Sequence, residues 1–500
     1  MAGKVALRRT KIIATLGPAT DDDAVLRRMI ENGLDVARLN FSHGSGEILE
    51  QRSQQVARLA AEVGRTVAIL GDLQGPKIRI GSFVDGRVTL AEGAPFLLDP
   101  DMDEQAGTAE GVSIAYKTLA DDVEPGDTLL LDDGQIALTV ASIDGNRVST
   151  TVLTGGALSN KKGINLKGGG LSAPALTRKD EADIQTAADL NFDYLAVSFV
   201  RSATDIRQAR VLFESAGGHG RIVAKIERTE AVDNIESIIE ASDAIMVARG
   251  DLGVEMGYAG LTGLQKRIIR STRYGNKIAI TATQMMESMI ASPLPTRAEV
   301  SDVANAVMDG TDAVMLSAET AVGKHPATVI EAMAEVCLGA EKYQTHRYRA
   351  SHRMDDTFQH VDEAIAMATM YTANHLDVRA IIALTESGTT TQWMSRIRSD
   401  IPIFAFTRNE RTSRRVTLYR GVYPVAFDIT QTNSVRVYND VCALLFELGL
   451  VDPGDRVIFT KGDLSGVAGG TNAMKIISVP DAEIMQAARA ADWTSRTAQV

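Results

Sequence analysis

Residues 221–249, RIVAKIERTEAVDNIESIIEASDAIMVAR, contain the pattern that decides the fold. Two runs rich in β-branched residues, 221–227 and 244–249, enclose a segment whose apolar residues recur at helical spacing. A strand, a helix and a second strand in this order are typical of a βα unit, in which neighbouring strands lie parallel. The stretch therefore predicts one repeat of a parallel α/β fold.

The same alternation occurs three times before an interruption near residue 77 and five times after it. The predicted strands are 11–17, 35–40, 66–72, 194–200, 221–227, 244–249, 277–283 and 313–319. Eight parallel strands and eight helices, in roughly 250 residues once the interruption is removed, fit a TIM (β/α)8 barrel. The rhythm alone leaves an open, doubly wound sheet as the alternative.

Two further segments depart from this alternation. Between about residues 77 and 166, short alternating strands are separated by the hairpin dipeptides Asp133-Gly134 and Asp144-Gly145. After about residue 343 a second, smaller α/β pattern follows. We therefore predict three domains: a barrel of residues 1–74 and 170–342, a β-rich domain of residues 75–169 inserted after barrel strand 3, and a C-terminal doubly wound α/β domain of residues 343–500.

The composition excludes several functional classes. A formal net charge of −12 over 500 residues argues against a general nucleic-acid binder, which needs a basic surface. Cys337 and Cys442 are too few for a disulfide framework and are predicted to be buried thiols. No apolar run approaches the ~18 residues of a membrane span, and the N-terminus lacks a signal-peptide pattern. We expect a cytoplasmic protein.

Polar and charged residues recur at the carboxyl ends of the predicted strands, where TIM barrels build their active sites. Glu227 and Asp251 offer hard oxygen ligands, too few for a closed cage, which suits Mg²⁺ with its retained waters. Lys225 lies two residues before Glu227, so both side chains face the same way. Arg38 and Arg249 can fork onto phosphate or carboxylate oxygens. We infer a magnesium site for a small phosphorylated or carboxylated anion, which suits phosphoryl transfer.

Several long motifs occur at these strand ends. They are VARLNFSHG (36–44), GDLQGPKIR (71–79), KKGINL (161–166), KIERTEAVDNIESIIEASDAIMVARGDLGVE (225–255), TATQMMESMI (281–290), PTRAEVSDVANAVMDGTDAVMLSAET (295–320) and SGTTTQWMSRIR (387–398). In this order they closely resemble pyruvate kinase. The resemblance implies transfer of the phosphoryl group of phosphoenolpyruvate to ADP, giving ATP and pyruvate, with Mg²⁺ or Mn²⁺ as the metal. It also implies that the β insertion is a lid, which closes over the site and excludes water.

The resemblance further implies roles for individual residues. Lys225 matches the family's phosphate-contacting lysine, Arg38 its phosphate-binding arginine, and Thr283 the threonine near the methylene carbon. Glu227 and Asp251 match its metal ligands. Further expected substrate contacts are Ser198 and the backbone N–H groups of Gly250 and Asp251, and the expected residues on the nucleotide side are His43, Arg79, Lys162 and Asn40.

One departure from the family pattern concerns potassium. Many members bind K⁺ with residues that match Asn40, Ser42, Asp72 and the next backbone carbonyl, which here belongs to Leu73. A glutamate is common at the position of Lys77, and lysine there accompanies potassium independence. A tethered ammonium group supplies positive charge without binding an ion. We therefore expect that K⁺ is not required, although Lys77 could simply be a solvated residue at the lid hinge.

The C-terminal domain resembles the family's regulatory domain. The segment 385–390 (TESGTT) follows a predicted strand and opens a helix, so its N–H groups and hydroxyls can bind an anion. The expected effector residues are Thr385, Ser387, Gly388, Thr389, Thr390, Lys461, Ser465 and Gly466. A phosphorylated metabolite is the expected activator; the alternative is an ordinary turn without a ligand.

Two other functions compete with this interpretation. A catalytically silent member of the family would bind sugar phosphates as a regulatory protein, but it should lack residues such as Lys225 or Glu227. A lyase or aldolase barrel acting on pyruvate with magnesium would not need the lid or the residues on the nucleotide side. The resemblance also implies a homotetramer, which no feature of the composition tests.

Overall fold

A computed structural model describes residues 7–345, 357–432, 436–463 and 469–485. The chain forms two compact units. The first unit comprises residues 1–71, 190–194 and 272–500, and the second comprises residues 72–189 and 195–271. Ser465 and Gly466, two of the expected effector residues, lie outside the described residues.

The strands fall into barrel, lid and C-terminal groups. In chain order they are β1 Lys11–Thr15, β2 Val36–Asn40, β3 Ala68–Asp72, β4 Arg87–Leu90, β5 Pro95–Asp99, β6 Gly111–Ser113, β7 Thr128–Leu131, β8 Ile136–Asp144, β9 Arg147–Thr154, β10 Gly156–Ser159, β11 Ile164–Leu166, β12 Tyr194–Val197, β13 Arg221–Ile226, β14 Ala244–Ala248, β15 Ile278–Ala282, β16 Ala313–Leu316, β17 Ala380–Leu384, β18 Ile403–Thr407, β19 Val422–Ala426, β20 Arg456–Gly462 and β21 Thr471–Ser478.

The helices alternate with the barrel and C-terminal strands. In chain order they are α1 Asp23–Glu31, α2 Gly46–Val63, α3 Leu119–Asp122, α4 Arg178–Asp189, α5 Ala203–Ser215, α6 Thr229–Asp233, α7 Ile235–Ala241, α8 Arg249–Met256, α9 Tyr258–Tyr274, α10 Arg297–Asp309, α11 Ala318–Ala321, α12 Pro326–Thr345, α13 Val361–His375, α14 Thr389–Ser395, α15 Glu410–Val416 and α16 Val437–Glu447. Short 3-10 turns occur at Pro18–Thr20, Glu287–Ile290 and Ile429–Gln431.

Eight strands close a barrel in the order β1-β16-β15-β14-β13-β12-β3-β2. The sequence AIMVA of β14 is buried at every position. One face of a barrel strand packs against side chains in the barrel interior, and the surrounding helices cover the other face. Capping boxes at Ser202 and Thr296 satisfy the backbone N–H groups in the first turns of α5 and α10, which explains why these helices begin there. The predicted (β/α)8 barrel is confirmed, and the open sheet is excluded.

The inserted segment is a separate β structure with its own apolar core. It contains a two-stranded sheet, β10-β4, and a six-stranded sheet in the order β11-β7-β8-β9-β5-β6. Phe96, Leu129 and Leu138 are among the buried side chains that pack together between these strands. Both predicted hairpin turns are confirmed, since β7 pairs with β8 and β8 pairs with β9 in antiparallel fashion. The segment after β3 therefore consists mainly of β strands, with the short helix α3 between β6 and β7.

The C-terminal strands form one sheet in the order β19-β18-β17-β20-β21. Four strands are parallel, as predicted for a doubly wound fold, whereas β21 runs antiparallel to β20 at the edge. Cys337 and Cys442 are buried and unpaired, so their predicted state is confirmed. Within the described residues, we find no helix with the length and apolarity that a membrane crossing requires.

Candidate active site

The candidate site in the second unit is built around the amine of Lys225, at the carboxyl end of β13. Its Nζ lies 2.9 Å from Oε1 of Glu227 and 3.2 Å from Oδ1 of Asp72. It also donates a 2.6 Å hydrogen bond to Oγ of Ser198. Residues from the ends of β3, β12 and β13 therefore meet at one ammonium group, which two carboxylates hold in place.

Glu227 is a deeply buried carboxylate of this group, with 2% of its surface exposed. Its Oε2 accepts a 2.8 Å hydrogen bond from the backbone N–H of Phe199. Burial raises the pKa of Glu227, the charge of Asp251 raises it further, and Lys225 opposes both. A carboxylate in this position gains stability from a divalent cation, because the cation offsets burial and repulsion together.

Asp251 lies in the first turn of α8, directly after β14. Its Oδ1 is 3.1 Å from Nζ of Lys77, a residue in the segment between β3 and β4. The described structure shows no side chain capping the start of α8, so the first-turn N–H groups, including those of Gly250 and Asp251, can receive an anion. The start of α8 thus places a carboxylate and anion-binding N–H groups together.

The donor set fits a divalent cation with open coordination positions. Glu227 and Asp251 are close enough for the charge of one to shift the pKa of the other. Among the described residues, no group of three or more histidine, cysteine or acidic side chains is arranged to hold a metal ion. Two carboxylates with room for water and ligand oxygens are the arrangement that Mg²⁺ prefers.

The loop after β3 is held against the end of β12. The backbone oxygen of Leu73 accepts a 2.7 Å hydrogen bond from Oγ of Ser198, and the N–H of Gly75 donates to Oδ1 of the buried Asp180 at 3.0 Å. Gly75 has a φ of +65°, and a Cβ there would lie 2.9 Å from atoms of both Ser198 and Phe199. Only glycine fits, so this contact fixes the loop that carries Leu73.

Three of the residues expected near a monovalent cation, Asp72, Leu73 and Lys77, lie in the second unit and contact other groups there. Asp72 contacts Lys225, and the Leu73 carbonyl accepts its hydrogen bond from Ser198. Lys77 contacts the predicted metal ligand Asp251. Lys77 is therefore only partly solvated, with 28% of its side chain exposed.

The first unit holds the remaining predicted residues at its own strand ends. Arg38 is buried, and one of its guanidinium nitrogens donates a 2.8 Å hydrogen bond to Oγ1 of Thr15. Oδ1 of Asn40 accepts from the N–H of Ser42 at 3.0 Å, and the Asn40 backbone oxygen accepts from the N–H of His43 at 3.1 Å. These contacts fix the turn that follows β2.

Thr283 and the next residue, Gln284, follow β15 in the left-handed region, with φ values of +74° and +54°. Residues with side chains rarely occupy this region, and such strain is concentrated at functional sites. Phe199, at the end of β12, has a φ of +53°. Strained backbone therefore follows two barrel strands whose ends carry predicted site residues.

Arg79 and Lys162, both expected near the nucleotide, lie in the lid segment. A guanidinium nitrogen of Arg79 donates a 3.0 Å hydrogen bond to the backbone oxygen of Lys161. Nζ of Lys162 lies 2.7 Å from Oδ1 of Asp132. The structure places these two cations at the base of the lid, each with a partner of its own.

Two acidic residues at the return of the lid were missed by the sequence reasoning. Glu255 accepts a 3.0 Å hydrogen bond from the N–H of Thr229 at Oε2 and lies 3.5 Å from Nδ2 of Asn165 at Oε1. Burial raises the pKa of Glu255 to about 7. Oε1 of Glu230 accepts from the N–H of Gly170 at 2.8 Å. The spacing of Glu255, one helical turn after Asp251, was the available signal.

The C-terminal α/β domain, which is part of the first unit, contains a cleft at the expected effector residues. Oγ of Ser387 lies 2.9 Å from Oγ1 of Thr389, and Oγ1 of Thr390 lies 2.7 Å from Oγ1 of Thr471. The N–H of Gly388 donates to Oγ1 of Thr385 at 2.9 Å. The cleft, which Lys461 also lines, encloses only about 50 Å³. These hydroxyl groups pair with one another, so a metabolite would have to displace these bonds and widen the cleft.

A closed (β/α)8 barrel with a lysine and paired carboxylates at its strand ends defines an enzyme of the TIM-barrel class. The family model "Pyruvate kinase, barrel domain" matches residues 7–330, and "Pyruvate kinase, alpha/beta domain" matches residues 363–477. The chain belongs to the pyruvate kinase family, whose members are phosphotransferases.

Individual relatives agree with this assignment over nearly the whole chain. Pyruvate kinase II of Salmonella typhimurium is 55% identical over 477 residues, covering 95% of this chain and 99% of the relative. The pyruvate kinase of Haemophilus influenzae is 53% identical, with 91% and 96% covered. That of Geobacillus stearothermophilus is 43% identical, with 95% and 81% covered.

Proposed function

We propose that the chain transfers the phosphoryl group of phosphoenolpyruvate to ADP, forming ATP and pyruvate, the last step of glycolysis. The observation that carries the proposal is the position of Lys225, whose ammonium is held by Glu227, Asp72 and Ser198. Preorganised positive charge is what phosphoryl transfer requires, because catalysis there consists mainly of positioning and charge neutralisation. Membership of the pyruvate kinase family supports the same reaction.

Each residue then has a defined task. Lys225 and Arg38 bind the phosphoryl oxygens, and Lys225 also stabilises the negative charge that develops on the enolate oxygen. The N–H groups of Gly250 and Asp251 hold the substrate carboxylate, with Ser198 beside them. Other assigned positions are Thr283 at the methylene carbon and His43, Arg79, Lys162 and Asn40 on the nucleotide side.

Glu227 and Asp251 would hold Mg²⁺ or Mn²⁺, which neutralises phosphate charge when bound. The raised pKa of Glu227 supports this assignment, because a buried carboxylate beside a second one is stabilised by a divalent cation. Removal of the metal with a chelator should abolish the transfer. Restoration by Mg²⁺ or Mn²⁺, but not by K⁺, would support the assignment.

The test of the reaction is ATP formation from phosphoenolpyruvate and ADP with Mg²⁺. Lys225→Met should lower kcat by at least about 10³-fold, because it removes a charge from the transition state. Lys179→Met changes an exposed lysine on α4 and serves as the matched control. Full activity of Lys225→Met would refute its role. A wild-type chain that binds sugar phosphates but forms no ATP would favour the catalytically silent alternative.

Potassium independence is proposed from the position of Lys77. Its amine lies 3.1 Å from Asp251, so a tethered cation already stands beside the metal ligand. Activity should persist when all K⁺ is replaced by tetramethylammonium. The variant Lys77→Glu should become dependent on K⁺, because it replaces that positive charge with a negative one. A collapse of wild-type activity without K⁺ would contradict the proposal.

Allosteric activation by a phosphorylated metabolite is proposed for the C-terminal cleft. The hydroxyl-rich segment around Ser387, Thr389 and Thr390, with Lys461 nearby, supports it. A screen of sugar phosphates and nucleotides should find a compound that lowers the KM for phosphoenolpyruvate, and Thr390→Val should weaken that effect. The homotetramer implied by the family can be checked by light scattering, and the cytoplasmic location expected from the sequence by cell fractionation.

A further inference from the structure

The first unit contains a second cavity, and the residues that line it include none of the site residues predicted from the sequence. It has a volume of about 460 Å³ and lies between α2 and β3 of the barrel and α15 of the C-terminal domain. Pockets for small molecules have volumes of about 300–1,000 Å³ and occur preferentially at domain boundaries. The cavity is therefore large enough for a metabolite.

One wall of the cavity is apolar and made of small side chains. Its members are Val56, Ala57, Ala60, Ala61, Val67, Ile69 and Leu190. Ala57 and Ala61 are exposed on successive turns of α2, so they face the same way. The apolar part of a flat ligand could pack against this shallow wall.

The other side of the cavity is rich in guanidinium groups. Nε of Arg414 lies 2.9 Å from Oδ1 of Asp193, and Arg414 also contacts Glu410, whose side chain is 85% exposed. Nε of Arg408 lies 3.4 Å from Oε1 of Glu386. Three arginines line the cavity, counting Arg65, against only two carboxylates.

The acidic partner of Arg65 lies outside the lining of the cavity. A guanidinium nitrogen of Arg65 is 3.6 Å from Oδ1 of Asp35, and Asp35 also pairs with Arg8 at 2.8 Å. Burial lowers the pKa of Arg65, and the neighbouring charge of Arg8 lowers it further, while Asp35 opposes both. The lining of the cavity therefore has three guanidinium groups and two carboxylates, and two of the arginines, Arg65 and Arg408, pair with carboxylates outside the lining.

We propose that this cavity is a second small-molecule site, which binds an organic anion with a phosphate or carboxylate group and an apolar body. Guanidinium groups match the geometry of both anions and bind them through paired hydrogen bonds. The anion would replace Glu386 on Arg408 and Glu410 on Arg414, while the body packs on the alanines of α2. Thr407 and Arg408 also line the effector cleft, so the two sites share these two residues.

The test is calorimetric titration of the full chain with phenyl phosphate, with benzoate, inorganic phosphate and phenol as comparison probes. Ala61→Trp and Ala57→Phe fill the cavity without removing a charge. Gln51→Trp places a large side chain on the exposed opposite face of α2 and is the matched control. Circular dichroism establishes that each variant is folded.

Phenyl phosphate should bind wild type and Gln51→Trp with one more equivalent per chain than it binds Ala61→Trp or Ala57→Phe. Binding at the active site or the effector cleft is common to all four proteins and cancels in this comparison. Inorganic phosphate and phenol should bind the cavity at least 10-fold more weakly, and the benzoate arm shows whether carboxylates are accepted. Equal stoichiometry in all four proteins would overturn the proposal.

A further variant covers the case in which both filled variants misfold. Arg414→Lys should then weaken the affinity of the additional phenyl phosphate at least 10-fold, and unchanged affinity would overturn the proposal.

Discussion

The contacts of Glu255 with Thr229 and Gly168, at the return of the lid, are called the hinge here. Replacement of Glu255 by glutamine should make the opening of this hinge insensitive to pH between about 5 and 8. Glu255 is buried, and its Oε2 accepts the N–H of Thr229 while its backbone oxygen accepts the N–H of Gly168. Burial raises its pKa from 4.5 to about 7. A raised carboxyl pKa stabilises the closed hinge below pH 4.5, and this contribution is lost as the pH rises through 7.

The size of the effect follows from the shift in pKa. A difference of about 2.5 pKa units corresponds to roughly 3 kcal/mol, because each unit is worth about 1.4 kcal/mol. The hinge of the wild-type protein should therefore open on the order of 100-fold more readily at pH 8 than at pH 5. Glu255→Gln cannot ionise, so its opening equilibrium should stay nearly constant across the same range.

Hydrogen exchange measures this opening directly. The amides of Thr229 and Gly168 should lose protection with rising pH in the wild type, after correction for the intrinsic rate of exchange. Glu214→Gln, which removes an exposed carboxylate from α5, should behave as the wild type does. The same loss of protection in Glu255→Gln as in the wild type would refute the reasoning.

Three further predictions concern backbone strain, thiols and a buried amine. Gly75→Ala should lower the free energy of unfolding by about 1–3 kcal/mol in denaturant titrations, since its φ of +65° and the contact with Ser198 both disfavour a Cβ. Burial raises the pKa of Cys337 and Cys442 to about 12, so iodoacetamide at pH 8 should label neither thiol without denaturant. Burial lowers the pKa of Lys11 to about 8, so the free energy of unfolding of the wild type should gain about 3 kcal/mol relative to that of Lys11→Met between pH 8 and 10.5, because ionisation of the buried thiols affects both proteins equally.

The barrel could be predicted because its strands are buried on both faces. Such strands appear in the sequence as unbroken apolar runs, and β14 is an example. The direction of β21 could not be predicted, since an edge strand has the same composition whether it runs parallel or antiparallel to β20. The register of the pair also shifts between Lys461 and Gly462, an irregularity that the strand composition does not reveal.

The types of residue at the candidate site were predictable, whereas their pairing was not. Lys225 and Glu227 were expected side by side because a strand alternates its side chains. The contact between Lys225 and Asp72 joins residues 153 positions apart, and that between Lys77 and Asp251 joins residues 174 apart. Such pairs depend on which strands are neighbours, and local sequence carries no information about them.

The pairing of β1 with β16 has a consequence for how the chain is made. Lys11 lies opposite Ala313, so the barrel cannot close until about 300 further residues have been synthesised. At translation rates of about 5–20 residues per second, β1 waits roughly 15–60 s for its partner. The lid has a core of its own and emerges during this interval. The β module can therefore fold on the ribosome before the barrel is complete, while β1 still lacks β16 and β3 still lacks β12.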